Sequence, residues 1–212
     1  MSRVWDAARL LKAGESPPKI AADLGLSLSS VLTYLKRAVG EGLVRRSDIY
    51  FSFPPEHRAE YSDLLQPYAA AAGALGDMFE DVRAIEVSLH TRIRRKLVEL
   101  YGQEETGWWR LGVPEAVRLK CQERREKDSE SPCEPYSYTD LQDLAKIMES
   151  HWANFREQLP AEYASNRRLL LDDMGRLNRI RNKVMHPVRG FTPSDEDFDF
   201  VRRLHLALGC EA

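Results

Sequence analysis

RLNRIRNKVMHPVRG, residues 176 to 190, carries an arginine, an asparagine and a histidine toward the end of a helical pattern and then a proline. Extending it backwards, Leu170, Met174, Leu177, Arg181 and Val184 fall at i, i+4, i+7, i+11 and i+14, the spacing of one helix face. The stripe predicts a helix over roughly 164 to 186 and sets the class of the chain as mainly α. It also puts Arg181 on or beside a buried face, where a charge is costly unless it meets a partner. His186 comes five positions later, about 140° around an ideal helix. Pro187 disfavours helical backbone at His186, so a distorted last turn or a second chain is needed to bring the two side chains to one small site.

Working outward, the same kind of pattern fills most of the C-terminal two thirds. A long helix is expected from about Tyr68 to Tyr101, with Phe79, Ile85, Leu89, Ile93 and Leu97 in a stripe. VPEAVRLKCQERREK predicts a shorter basic helix, and DSESPCEPYSY an acidic loop containing prolines. Thr139 with Gln142 has the spacing of a capping box before DLQDLAKIMESHWANFREQL. A last helix, opened by Thr192-Pro193, is expected to run to Leu208.

The N-terminal piece differs in charge and punctuation. Residues 1–53 hold eight Lys/Arg against five acids, a balance of +3 that leaves −5 for the rest of a chain whose net charge is −2. Val4, Ala7, Ala8 and Leu11 share a face and stop at Gly14; Ser16-Pro17 opens a short helix broken by Gly25; Ser27 caps LSSVLTYLKRAVG, whose Val31, Leu35 and Val39 face inward. Helix, glycine turn and polar helix resemble a helix-turn-helix, and the β-prone runs around Arg46-Ser47-Asp48 in GLVRRSDIYFSF resemble the hairpin of a winged one. That resemblance implies duplex DNA as a partner, with Ser29, Ser30, Thr33, Tyr34, Lys36 and Arg37 on or near the outer side of the third helix and Arg45 and Arg46 in the wing. A protein-binding module is the other reading of the same pattern. Three prolines in FPPEHRAEYSDLLQP mark the expected boundary: a winged helix-turn-helix over 1–53, a linker over 54–67 and a helical bundle over 68–212.

Composition narrows the function classes. With 212 residues and 43% apolar side chains, the chain can bury a core. Cysteines at 121, 133 and 210 form no C-x-x-C pair and leave one over in any disulfide scheme, which fits a reducing compartment and argues against structural zinc. MSRVWDAARLLKAG lacks the apolar run of a signal peptide and YAAAAGALGDMF is too short to span a bilayer, so a cytoplasmic protein without a membrane partner is expected. His57, His90, His151 and His205 have no companions at metal-ligand spacing, and there is no P-loop and no G-x-S-x-G. Neither a metal nor a cofactor is expected.

Arg181-Asn182-Lys183-Val184-Met185-His186 resembles the motif of the HEPN superfamily, helical bundles that carry R-x4-6-H with a polar residue after the arginine. Arg83 and His90 satisfy the bare spacing too, but lack that polar residue and a following proline. Glu86 with Arg92, Trp108-Trp109 with Pro114, and YTDLQDLAKIMESHWANF are similar to the HEPN domain at the C-terminus of a eukaryotic PIN-domain endoribonuclease, over residues 76 to 208. The resemblance implies a HEPN-type bundle and a metal-independent endoribonuclease, with Arg181, Asn182 and His186 catalytic and RNA as substrate. It also implies a homodimer through the C-terminal bundle, motifs facing one another. The chemistry is adequate: RNA carries its own 2′-hydroxyl nucleophile, so an imidazole to move protons and a guanidinium to hold phosphate oxygens suffice. A toxin or defence effector with a DNA-binding head follows from this, its antitoxin or other partner unspecified. The alternative is a non-enzymatic regulator using the bundle as a dimerisation scaffold.

The auxiliary residues have plainer readings beside the functional ones. Trp108, Trp109 and Trp152 read most simply as packing residues. Arg118, Lys120, Arg124, Arg125 and Lys127 form either an RNA path or a solvated helix face. Glu86 is either the partner Arg181 requires or a surface acid.

Overall fold

The computed structural model describes residues 2–72, 75–130, 132–186 and 192–208. Helices and loops account for all of them; no strand occurs among the described residues. The chain divides into two compact units, one of residues 1–78 with 190–206 and one of residues 79–189 with 207–212.

In the first unit, α1 (Arg3–Lys12), α2 (Pro17–Leu24) and α3 (Leu28–Gly40) form where the capping residues place them. Ser2 accepts from the Val4 N–H, Pro17 occupies the first turn of α2, and the Ser27 hydroxyl accepts from the Ser30 N–H at 3.2 Å. Gly25 takes the left-handed conformation, φ 65°, that lets α2 stop and the chain turn into α3. Val4, Ala7, Ala8 and Leu11 meet Ile20, Val31, Leu32, Leu35 and Ala38 in one core, while Val39 is only partly buried at its edge.

The expected wing is a helix. α4 spans Arg46–Phe51, with the Asp48 carboxylate reaching back to accept the Arg45 N–H at 2.8 Å. Ser47, Ile49, Phe51 and Phe53 are buried at alternate positions, which in a strand would be one face; here Ile49 and Phe53 enter the core with α1 and α3, while Phe51 stacks on Phe198, so the segment is buried on two sides. The expected linker is structured as well. Pro54-Pro55 opens α5 (Pro55–Arg58), and α6 (Ser62–Ala72) carries Leu65 and Tyr68 into the same core as α1 and α3. Of the helix expected from Tyr68 to Tyr101, the described residues are helical over 68–72, in α6, and over 75–101, in α7 (Leu75–Tyr101).

The last helix, α13 (Asp195–Ala207), contributes nearly all its residues to the first unit rather than to the C-terminal bundle. Phe198 stacks on Phe51 with ring centroids 4.8 Å apart, Asp199 takes both terminal nitrogens of the buried Arg58, and Arg202 pairs with Asp48 at 3.1 Å. Arg58 lies against the Tyr50 and Phe51 rings, its charge met by Asp199 and its Nε by the Phe53 carbonyl at 3.1 Å.

The second unit is built around α7, whose Val82, Ile85, Leu89, Ile93 and Leu97 are buried. A π-helical turn over Glu105–Trp109 follows, then α8 (Glu115–Lys127) and a 3-10 turn over Pro135–Tyr138. α9 (Leu141–Ser150) is capped by Asp140 and Asp143, not by Thr139 and Gln142; Thr139 donates instead to the Tyr136 carbonyl. Where one helix is expected over 140–159, the chain breaks at His151, whose Nε2–H donates to the Gly112 carbonyl at 2.6 Å while Nδ1 accepts from the Tyr101 hydroxyl at 3.2 Å. Two short helices, α10 (Trp152–Phe155) and α11 (Ala161–Ser165), lead into α12 (Arg167–Val184), which packs on α9.

Candidate functional site

α12 buries Leu170, Met174, Leu177, Ile180 and Val184, the stripe read from the sequence. Arg181 lies at its margin, with about a third of its side chain exposed, and its Nε is 3.7 Å from Glu86 Oε2 on α7. That Nε is buried and makes no hydrogen bond among the described residues, so the Glu86 carboxylate meets its charge at ion-pair distance. On the other side Arg181 Nη1 is 3.4 Å from Asn182 Oδ1. Of the two readings of Glu86, the geometry matches the partner of Arg181.

Asn182, Met185 and His186 are exposed. The helix closes with the Met185 N–H on the Arg181 carbonyl at 2.9 Å and the His186 N–H on the Lys183 carbonyl at 3.2 Å, a tightened last turn. Pro187, expected to stop the helix, lies outside the described residues. Arg181, Asn182 and Glu86 are thus in mutual contact through the arginine. No hydrogen bond, ion pair or ring contact joins His186 to that group among the described residues.

The second match to the motif spacing has a structural explanation. His90 Nε2 is 3.2 Å from the Tyr136 carbonyl and its ring lies 4.2 Å from the Tyr136 ring, while Arg83 points to Glu80 at 3.5 Å. Trp108 and Trp109 are buried against Tyr136, and Trp108 carries the Arg94 guanidinium 4.8 Å from its ring. Trp152 is half-buried. Arg92 donates to the carbonyls of Gln158 and Leu208.

The basic helix is largely committed to internal contacts. Lys120 and Arg124 both reach Asp140 and the fully buried Asp143, Arg118 donates to the Val113 carbonyl at 3.0 Å, and Lys127 pairs with Glu123 at 2.6 Å. Of the five cations, Arg125 is exposed and in none of these contacts. Burial opposes the charged form of Asp140, yet Arg124, the Asp143 N–H and Lys120 hold its carboxyl well below the usual carboxylate range. In the sequence this four-residue cluster shows only as two aspartates three positions apart, 16–23 residues beyond the two cations.

On the first unit, Ser29, Thr33, Lys36 and Arg37 are exposed at i, i+4, i+7 and i+8, one face of α3. Ser30 is half-buried against the Ser27 hydroxyl at 2.9 Å, Thr33 donates to the Ser29 carbonyl at 2.9 Å, and Tyr34 packs at the edge of the core. With no wing, Arg45 and Arg46 sit elsewhere than expected. Arg45 is held by Asp48 at 2.9 Å and donates to the Asp77 carbonyl at 3.3 Å, whereas Arg46 at the start of α4 is exposed. A face overlooked in the sequence is the outer side of α1, where Trp5, Arg9 and Lys12 are exposed at i, i+4 and i+7. Its signal in the sequence is the same helical spacing on a side away from Val4, Ala7, Ala8 and Leu11.

No group of three or more His, Cys, Asp or Glu suited to a metal ion occurs among the described residues, and none of their helices is long and apolar enough to cross a membrane. Comparison of the chain with family models, curated proteins and solved structures gives no match.

Proposed function

We propose that the chain is a metal-independent endoribonuclease of the HEPN type, acting as a toxin or defence effector, with a helix-turn-helix head that binds duplex DNA. The observation that carries this reading is the Arg181–Glu86 pair beside the exposed Asn182 and His186 at the end of α12. A guanidinium placed by a carboxylate and left partly open to solvent can receive two nonbridging phosphate oxygens. The ribose 2′-hydroxyl attacks phosphorus, the bond to the 5′-oxygen breaks, and His186 moves the proton that the attack releases or the leaving oxygen needs. Arg181 stabilises the charge that accumulates on the phosphorane-like transition state. Asn182, in contact with Arg181, orients the arginine or the substrate. A homodimer through the C-terminal bundle supplies the second surface that the offset between Arg181 and His186 calls for. The exposed Ser29, Thr33, Lys36 and Arg37 face of α3 supports the DNA-binding part of the reading.

The test is cleavage of single-stranded RNA by the full chain, with and without EDTA, together with growth of cells expressing wild type or His186→Ala. Wild type is expected to cut in EDTA, to leave 2′,3′-cyclic phosphate ends and to slow growth. Arg181→Ala and His186→Ala are each expected to lower cleavage by about a hundredfold or more. Cleavage that disappears in EDTA and returns with magnesium overturns the mechanism. RNA left intact by wild type under every condition, with duplex DNA still bound, leaves the non-enzymatic regulator as the reading.

A further inference from the structure

Trp5 is an exposed indole, 53% accessible, on a helix whose other large apolar side chains are turned to the core. Successive positions of a helix are 100° apart, so Trp5, Arg9 and Lys12 lie within about 60° of one another on the cylinder. Arg9 is about 6 Å and Lys12 about 10 Å from Trp5 along the axis. Neither cation forms an ion pair, and the indole has no hydrogen bond or ring contact, among the described residues. By contrast Lys19, on the neighbouring helix, is spent on Glu15 and Asp23 at 3.2 and 2.8 Å. The stripe therefore combines one open aromatic face with two uncompensated positive charges.

We propose that this face of α1 binds a single strand of nucleic acid, with Trp5 stacking on an unpaired base and Arg9 and Lys12 meeting the flanking phosphates. Base stacking needs an accessible aromatic face and tolerates any sequence; phosphate contacts need cations with no internal partner. Both are present, and they are aligned along one helix. The surface is distinct from the Ser29, Thr33, Lys36 and Arg37 face of α3, and the proposal does not depend on cleavage at His186. Charge and composition argue against the other occupants. An interfacial membrane helix turns a broad apolar face outward, whereas the apolar face of α1 is the one buried in the core. Protein interfaces favour aromatic and arginine side chains but deplete lysine, and α1 adds to Trp5 no second exposed large apolar side chain, only Arg9 and Lys12.

The experiment uses the full chain and fluorescein-labelled single-stranded DNA and 2′-O-methyl RNA oligonucleotides of the same mixed sequence, the methyl group removing the nucleophile for cleavage, with anisotropy as the readout. Both strands are expected to bind, because neither stacking nor phosphate contact requires a 2′-hydroxyl. Trp5→Ala is expected to weaken both by about tenfold, the loss of one stacked base, while Trp5→Phe retains most of the affinity. Arg9→Ala with Lys12→Ala is expected to reduce the slope of log affinity against log salt by about 1.4, two single-strand phosphate contacts. Lys36→Ala with Arg37→Ala, on α3, is expected to spare the single strand. Indole fluorescence should change on adding strand in wild type and much less in Trp5→Phe, since Trp108 and Trp109 are buried and Trp152 is half-buried. All these side chains are exposed, and an unchanged melting temperature for each variant identifies the loss as one of binding. Unaltered strand affinity in both Trp5→Ala and the double variant overturns the proposal. So does a Trp5→Ala defect confined to anionic phosphatidylglycerol vesicles, or one that appears only as loss of a dimer in sedimentation.

Discussion

At the scale of single residues, Lys120 and Arg124 meet Asp140 and Asp143 in one cluster of four charges. Asp143 has no solvent exposure, so its carboxylate depends on those two cations and on the Asp140 N–H. Asp140 is held below the ordinary carboxylate value of about 3.9, so it stabilises the folded chain fully above that pH. Its contribution is lost as pH falls from there toward the depressed folded value. Melting temperatures of wild type and Asp140→Asn should therefore differ most at neutral pH and converge on acidification below pH 3.9. A gap that stays constant to pH 2 would show that Asp140 acts through shape alone. The same scale shows what sequence can reveal about a site. Arg181 on an apolar stripe demanded a partner, and Glu86 supplies it at 3.7 Å. The fate of Lys120 and Arg124 was not legible, because a basic helix looks alike whether its charges meet water, phosphate or a buried aspartate twenty residues away.

At the scale of elements, the readings that held are those in which a cap and a period agree. Ser27 and Gly25 bound α3 and the turn between α2 and α3, and the 170–184 stripe is the buried side of α12. The wing failed because the alternation of Ser47, Ile49, Phe51 and Phe53 has the period of a strand, whereas in the fold it arises from a short helix packed on two sides, Ile49 and Phe53 against the core and Phe51 against Phe198. The break at His151 depends on a carbonyl at Gly112 and a hydroxyl at Tyr101, both distant in sequence. Two glycines in the second unit make the contrast between tight and open backbone measurable. A methyl group at Gly107, in the π-helical turn, would overlap the Tyr101 carbonyl, and backbone cannot retreat as a side chain can. At Gly175, inside α12, its nearest neighbour would be Arg179 Nη1 at an ordinary 3.7 Å. Gly107→Ala is expected to lower stability by about 2 kcal/mol or more, and Gly175→Ala to raise it by about 0.5–1 kcal/mol, in urea unfolding followed by circular dichroism. Equal effects of the two would contradict the packing described around the turn.

On the scale of the whole molecule, the chain is not a head followed by a body. Residues 190–206 return to the unit formed by residues 1–78, and α13 is fastened there by the Phe51–Phe198 stack and by the pairs of Arg58 with Asp199 and Asp48 with Arg202. A last helix was expected to run to Leu208, and α13 buries Phe198, Phe200, Val201 and Leu204; nothing in a local period says against which partner. A chain ending at residue 189 should consequently leave Phe51 and Arg58 without their partners. Its melting temperature should fall, and amide exchange in α4 and α5 should rise by an order of magnitude or more, while α9 and α12 keep their protection. Unchanged exchange in α4 would mean that α13 is dispensable to the first unit. The discontinuity also bears on ancestry. A crossover at residue 53 or 78 would deliver an incomplete head to a new host protein, so recombination could transplant this module only by carrying the 190–206 segment along with it.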